Sequence, residues 1–142
     1  MKNNILKING LKVFPNNKSS LKLVKNISLS VEKGKTTCIV GESGSGKSLT
    51  ALSVMQLLSS QLSMTGTIFF EGVNLLNLTK EEIRKKRGKD IAMIFQEPMT
   101  SLNPVLTIGY QIEEAVGVHE NLIKTELNKR VEELLNIVGI PT

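Results

Sequence analysis

The sequence predicts an α/β fold, and three observations carry that expectation. Residues 36–48 read as a short strand with an apolar end, a glycine-rich loop and the start of a helix. Residues 91–95, Ile-Ala-Met-Ile-Phe, run apolar without a polar break, as a strand covered on both faces of a parallel sheet does. Residues 27–31 alternate Ile27, Leu29 and Val31 against Ser28 and Ser30, the pattern of a half-buried strand.

Taken in order, residues 5–14 largely alternate and read as a strand, although Ile8, Leu11 and Val13 break a perfect period. The turn-rich residues 15–20 (PNNKSS) precede a strand over 21–31, and Glu32, Lys33 and Gly34 turn the chain into a strand at 36–40. Residues 48–58 carry Leu49, Leu52, Met55 and Leu58 at helical spacing. Ala51, Val54 and Leu57 are apolar too, so this helix is expected to be buried on more than one side. A strand over 66–70 turns at Glu71 and Gly72 into residues 73–76. Thr79, with Glu82 three residues on, forms a capping box opening a polar helix through Arg87. After a loop over 96–104, Thr107 opens a helix through Val116, against which Gly109 counts. Residues 124–138 form a helix with Leu127, Val131, Leu134, Leu135 and Val138 on one stripe, stopped by Gly139 and Pro141.

The 142 residues suffice for one core, and the 40% apolar content is that of a globular protein. With no tryptophan, one tyrosine and four phenylalanines, aromatic stacking along a nucleic acid is a poor reading, and no nucleic-acid partner is expected. The net charge of +5 is concentrated in residues 80–89, where six Lys/Arg face two Glu. That run is either a solvated helix face or a patch meeting phosphates or a membrane surface. Cys38 is the only cysteine, which rules out an intrachain disulfide; in its apolar run it reads as a small buried thiol. His119 is also alone, without a ligand at metal-binding spacing. The first residues do not resemble a signal peptide and no stretch is long enough for a membrane span, so a cytoplasmic protein is expected.

The chemistry lies in residues 41–48, Gly-Glu-Ser-Gly-Ser-Gly-Lys-Ser, which satisfy G-x-x-x-x-G-K-[ST] at Gly41, Gly46, Lys47 and Ser48. Gly41, Gly44 and Gly46 permit backbone angles that let successive N–H groups converge on an anion. The helix that follows adds its unpaired N–H groups and the positive end of its dipole. Lys47 brings a full charge to the β and γ phosphates, and Ser48 offers a hydroxyl to Mg²⁺. The candidate phosphate-binding residues are Gly41, Glu42, Ser43, Gly44, Ser45, Gly46, Lys47, Ser48 and Leu49. The expected ligand is ATP with Mg²⁺. A GTPase would need an N-K-x-D motif, which Asn77-Leu-Thr-Lys80 does not supply, and a small-molecule kinase would want more arginines than Arg84, Arg87 and Arg130.

Residues 95–104, Phe-Gln-Glu-Pro-Met-Thr-Ser-Leu-Asn-Pro, decide among the remaining phosphate-loop proteins. Together with residues 41–48 they resemble the ATP-binding subunits of ABC importers, in the oligopeptide/dipeptide/nickel branch. The resemblance covers nearly the whole chain and implies a P-loop core with an antiparallel β-subdomain and the start of a helical subdomain over about residues 105–142. It gives Gln96, heading a Q-loop over 96–104, a contact to Mg²⁺ and the attacking water. Residues 26–34 resemble the family's strand leading to the P-loop. By the resemblance Phe14, 27 residues before Gly41, stands for the aromatic that stacks on adenine, at a spacing somewhat longer than the family's; on its own it reads more often as a core side chain.

The resemblance also implies partners: a second ATPase subunit, in a dimer, and integral membrane permease subunits that hold the protein at the inner face of the membrane, without contact to the transported solute. The family's signature motif, its Asp-Glu after an apolar strand and its switch histidine are not found in these 142 residues. The chain is therefore expected to be the N-terminal part of an ATPase subunit serving peptide or nickel uptake. The alternative is a nucleotide-binding or interaction module without catalysis, and the chain alone is not expected to hydrolyse ATP.

Overall fold

The computed structural model describes residues 3–96 and 101–141, and the chain divides into two compact units, residues 1–84 and 85–142. In the first unit, β1 (Asn4–Pro15), β2 (Val24–Glu32), β3 (Leu62–Phe70) and β4 (Val73–Asn74) form an antiparallel sheet in the order β2-β1-β3-β4. Ile8 and Leu11 are three residues apart, a spacing that puts side chains on opposite faces of a regular strand. Yet Ile8 is 1% exposed, and Leu11 and Val13 are 0% exposed. The cause is a bulge. Between the pairs Ile8–Leu29 and Leu11–Ile27, β1 advances one residue more than β2, and Gly10 takes the left-handed φ of 60° that such an insertion requires.

Gly66 on β3 faces that bulge with φ 116°, and a Cβ there would lie 2.8 Å from both Asn9 O and Gly10 O. Only glycine leaves room for the backbone of β1. The broken alternation of residues 8, 11 and 13 is thus the record of a bulge, and all three side chains share one core with Val24, Ile68 and Phe70.

Glu71 and Gly72 turn β3 into β4 with φ 47° and 83°, the two left-handed residues of a tight hairpin. Asn74 Oδ1 accepts from Leu76 N at 3.2 Å, capping a 3₁₀ turn (Leu75–Asn77) that buries Leu75. The capping box forms as expected: Thr79 N donates to Glu82 Oε2 at 2.8 Å and Glu82 N to Thr79 Oγ1 at 3.3 Å. It opens α2 (Lys80–Lys86), which buries Ile83. On its outer side Arg84 meets Glu81 at 2.9 Å, an interaction that raises the proton affinity of the guanidinium. Lys86 meets Asp90 at 3.0 Å. The basic run is thus mostly exposed, with part of its charge paired nearby.

In the second unit, α3 (Ile108–Gly117) is capped by Thr107 Oγ1, which accepts from Tyr110 N at 3.3 Å. It packs on α4 (Lys124–Ile137), where Lys124 pairs with Glu113. At the end of α4, Gly139 adopts φ 77°; its N–H reaches Asn136 O at 3.0 Å, and Ile140 N reaches Leu135 O at 2.9 Å. This pair of bonds is a Schellman stop. Val131 is buried, Leu127, Leu134 and Leu135 are half-buried, and Val138 is exposed, so the stripe fades at its end.

Several expectations need correction. Residues 36–40 form no strand, and Ile39 and Val40 are 48% and 87% exposed. Cys38, expected inside, is exposed with them. Residues 91–95 form no strand either: Ile91 makes one bridge to Arg87, and Ile94 is 98% exposed. A strand exists only where a neighbour takes up its N–H and C=O groups, and among the described residues neither segment has a ladder partner beyond that bridge. The second strand starts at Val24, not at 21. The helix after the glycine loop, α1 (Lys47–Val54), is shorter than 48–58, because Gln56 takes φ 50° and its side chain donates to Leu75 O. Its buried face is Thr50, Ser53, Val54 and Met55, while Ala51 and Leu57 are exposed. It is buried on one side only.

Candidate phosphate-binding site

The site is built at the junction of the glycine loop and α1. Ser45 N donates to Glu42 O at 3.2 Å, closing a turn through Ser43 and Gly44. Gly44 and Gly46 have φ 81° and 93°, the left-handed region that a side chain resists. Gly41 differs: its φ is not positive, and a Cβ there would meet the rotatable Ser45 Oγ at 2.8 Å, so glycine gives that hydroxyl room. Gly46 is also a point of close approach, since its Cβ would lie 3.1 Å from Val24 Cγ2 and 3.2 Å from Leu23 O. The last glycine before the helix is thus seated against the start of β2.

The hydroxyls of α1 divide into two kinds. Thr50 Oγ1 donates to Gly46 O at 2.9 Å and Ser53 Oγ to Leu49 O at 2.6 Å, which satisfies both inside the helix and lets them be buried. Ser48 is exposed, and its hydroxyl makes no hydrogen bond among the described residues. The helix starts at Lys47 from a Gly46 cap that offers no side-chain acceptor, and its first turn carries no acid. Its leading N–H groups are consequently donors without an intrahelical acceptor, at the positive end of the dipole.

Lys47 folds back over the loop. Its Nζ donates to Gly41 O at 2.6 Å and Glu42 O at 2.7 Å, with Ser45 Oγ at 3.4 Å. The loop carbonyls therefore hold the ammonium, and the next residue in the chain, Ser48, carries an exposed hydroxyl. This donor set suits a polyanion that keeps a divalent cation of its own. Among the described residues no cluster of three or more His, Cys, Asp or Glu could hold a metal by itself. A cation here would need the phosphates as ligands, with Ser48 adding one oxygen.

Phe14 lies near the end of β1, half-buried, in register with Ser63. The preceding residue, Val13, pairs with Val24, the residue that touches Gly46, so the aromatic and the phosphate loop belong to one unit and to neighbouring backbone. The Lys22 ammonium sits 4.0 Å from the Phe14 ring centroid. No spacing rule in the sequence links these two residues, and only the return of the intervening loop brings them together. Gln96 is exposed and belongs to the second unit. Of the Q-loop expected over 96–104, residues 97–100 lie outside the described residues. Asn103 and Leu106 carbonyls accept from Gln111 Nε2 at 3.0 and 3.1 Å, fastening the end of that loop to α3.

Residues 24–142 match the ABC transporter family. The oligopeptide transport ATP-binding protein AppD of Bacillus subtilis is 46% identical over 138 residues, which are 95% of this chain and 42% of that protein. The dipeptide transport ATP-binding protein DppD of Lactococcus lactis is 44% identical over 140 residues, 96% of this chain and 40% of that one. The chain thus spans less than half the length of these curated relatives. Among solved structures, the ATP-binding cassette MJ0796, in a dimeric post-hydrolysis state bound to ADP and Pi, superposes with a TM-score of 0.74 at 23% identity. That match covers 93% of this chain and 56% of the cassette. The likeness shows the fold: an antiparallel sheet with helices, corresponding to about half of an ABC ATPase cassette.

Proposed function

The chain belongs to the ABC transporter family, and from that membership we propose that it is the ATP-binding part of an importer that takes up peptides. The observation that carries the ATP-binding reading is the phosphate loop: Lys47 held at its mouth, a capless helix N-terminus behind it and the uncommitted Ser48 hydroxyl beside it. In this reading the backbone of residues 41–49 cradles the β and γ phosphates, and Lys47 gives up its loop carbonyls to pair with them. Ser48 would help to hold Mg²⁺, which would supply charge neutralisation at the phosphates. Gln96 keeps the role that the family resemblance implies, a contact to Mg²⁺ and the attacking water. The names of the relatives favour peptides over nickel as the solute.

The proposed partners are a second ATPase subunit and membrane permease subunits, which would bring the protein to the inner face of the membrane. Among the described residues no helix is long and apolar enough to cross a membrane itself. Titration calorimetry with MgATP tests the reading: saturable binding that Lys47→Ala abolishes or weakens supports it, and binding indifferent to Lys47 overturns it. Cysteine cross-linking from Ser101 to permease loops tests the partner assignment.

A second reading has a specific observation behind it. The 142 residues contain one aspartate, Asp90, and neither an Asp-Glu pair nor the family signature. By itself the chain then binds nucleotide without turning it over. A phosphate-release assay on residues 1–142 decides this point, since Lys47-dependent turnover would exclude a purely non-hydrolytic module.

A further inference from the structure

We propose that Lys22 is a positioning residue for the nucleobase: its ammonium occupies one face of Phe14 and holds the ring so that a purine stacks on the other. The proposal rests on the preceding reading of residues 41–49 as the phosphate cradle, and on the stacking role that the family resemblance implies for Phe14.

The geometry begins in the backbone. The loop that follows β1 folds back on the strand through Lys18 N to Pro15 O at 3.1 Å, Leu21 N to Lys18 O at 3.0 Å and Leu23 N to Val13 O at 2.8 Å. These bonds return Lys22 to the neighbourhood of Phe14, eight residues earlier in the chain. The Lys22 ammonium then lies 4.0 Å from the ring centroid and donates to Ser19 O, so it is fixed at both its π contact and its hydrogen bond. The next two residues reach the phosphate loop: Leu23 O and Val24 Cγ2 lie 3.2 and 3.1 Å from where a Gly46 Cβ would stand. A three-residue segment therefore touches the aromatic at one end and the last glycine of the phosphate loop at the other.

An aromatic ring offers two faces, each with negative charge density. A cation held on one face restrains the ring's rotation and leaves the opposite face as the platform for a flat base. Holding the ring before the ligand arrives removes part of the ordering cost of binding. Lys47 and Lys22 then serve different parts of one ligand. Lys47, hydrogen-bonded to loop carbonyls, answers to the phosphates, and Lys22, engaged with a π face, answers to the base.

The test compares MgATP with magnesium tripolyphosphate, which has the phosphates and no base, by calorimetry at fixed ionic strength. The proteins are the wild type, Phe14→Ala, Lys22→Met and Lys22→Arg. Lys22→Met is expected to weaken ATP about fivefold, because the ring must then be ordered as the base binds. It should leave tripolyphosphate unchanged, and Lys22→Arg should restore ATP binding. Equal weakening of both ligands would make Lys22 a phosphate contact and overturn the proposal. Tighter ATP binding by Lys22→Met would make the lysine a competitor of the base, which overturns it as well. An unchanged ATP affinity in Lys22→Met, alongside weakening in Phe14→Ala, would leave Phe14 in its role and remove Lys22. If Phe14→Ala does not separate the two ligands, the stacking reading fails and the proposal with it. Absence of binding to both ligands by the wild type is the failure of the phosphate cradle itself.

Discussion

β1 and residues 36–40 are both β-prone, yet only one of them is a strand. β1 lies between two antiparallel neighbours, and its Ile8, Leu11 and Val13 are buried. Ile39 and Val40, no less apolar, stand in solvent at the entry to the phosphate loop, and residues 91–95 repeat the case. The difference lies in the partners and not in the composition. A ladder satisfies the backbone and lets side chains on one face close over a core, and without it an apolar run has no means to become buried.

The comparison breaks most visibly at Leu11. Leu11→Ala should destabilise the chain by about 2–5 kcal/mol in urea unfolding, because it removes a fully enclosed side chain from the bulged face of β1. Next comes the glycine opposite the bulge. Gly66→Val should cost about 1–3 kcal/mol from its φ alone, and more from its contacts with the β1 backbone. If Gly66→Val is tolerated, the bulge does not set the register of the sheet.

A third prediction moves from the paired region to the site that the unpaired segment leads into. Lys47→Ala should weaken MgATP binding at least tenfold, about 1.4 kcal/mol, with the thermal melt unchanged. An unaltered dissociation constant would separate the loop from nucleotide binding altogether. A smaller effect is expected at the capping box, where Thr79→Ala should cost about 1 kcal/mol by leaving the first turn of α2 without its acceptor. Smallest of all is Val40→Lys, expected within about 0.5 kcal/mol of wild type. The same change should lower light scattering, since it interrupts an exposed apolar run open to association. A large loss of stability in Val40→Lys would mean that residues 36–40 are packed after all, and the contrast with β1 would fall.

The candidate site was legible to different depths. Residues 41–48 announce a phosphate loop because the requirement is local: glycines where φ must be positive or atoms must touch, a lysine, a hydroxyl and a helix that starts at once. Which glycine serves which purpose was not legible. Gly41 looked like a φ requirement and proves to be a contact with Ser45, and Gly46 is both, through the touch of Leu23 and Val24. Lys22 carried no signal, because its meeting with Phe14 depends on how a six-residue polar loop and its flanks return to the strand.

By itself, the sequence determined the elements whose causes lie within a few residues. These are the Glu71-Gly72 turn, the Thr79–Glu82 box, the Thr107 cap, the Gly139 stop and the phosphate loop, each set by hydrogen bonds or φ values spanning six positions or fewer. Tertiary structure alone decided whether an apolar run became a strand, because a strand's hydrogen bonds are made by residues distant in the chain. It decided the inward turn of Leu11, through a bulge that needs Gly66 some fifty positions on, and the exposure of Cys38, Val40 and Ile94, whose runs find no such partner among the described residues.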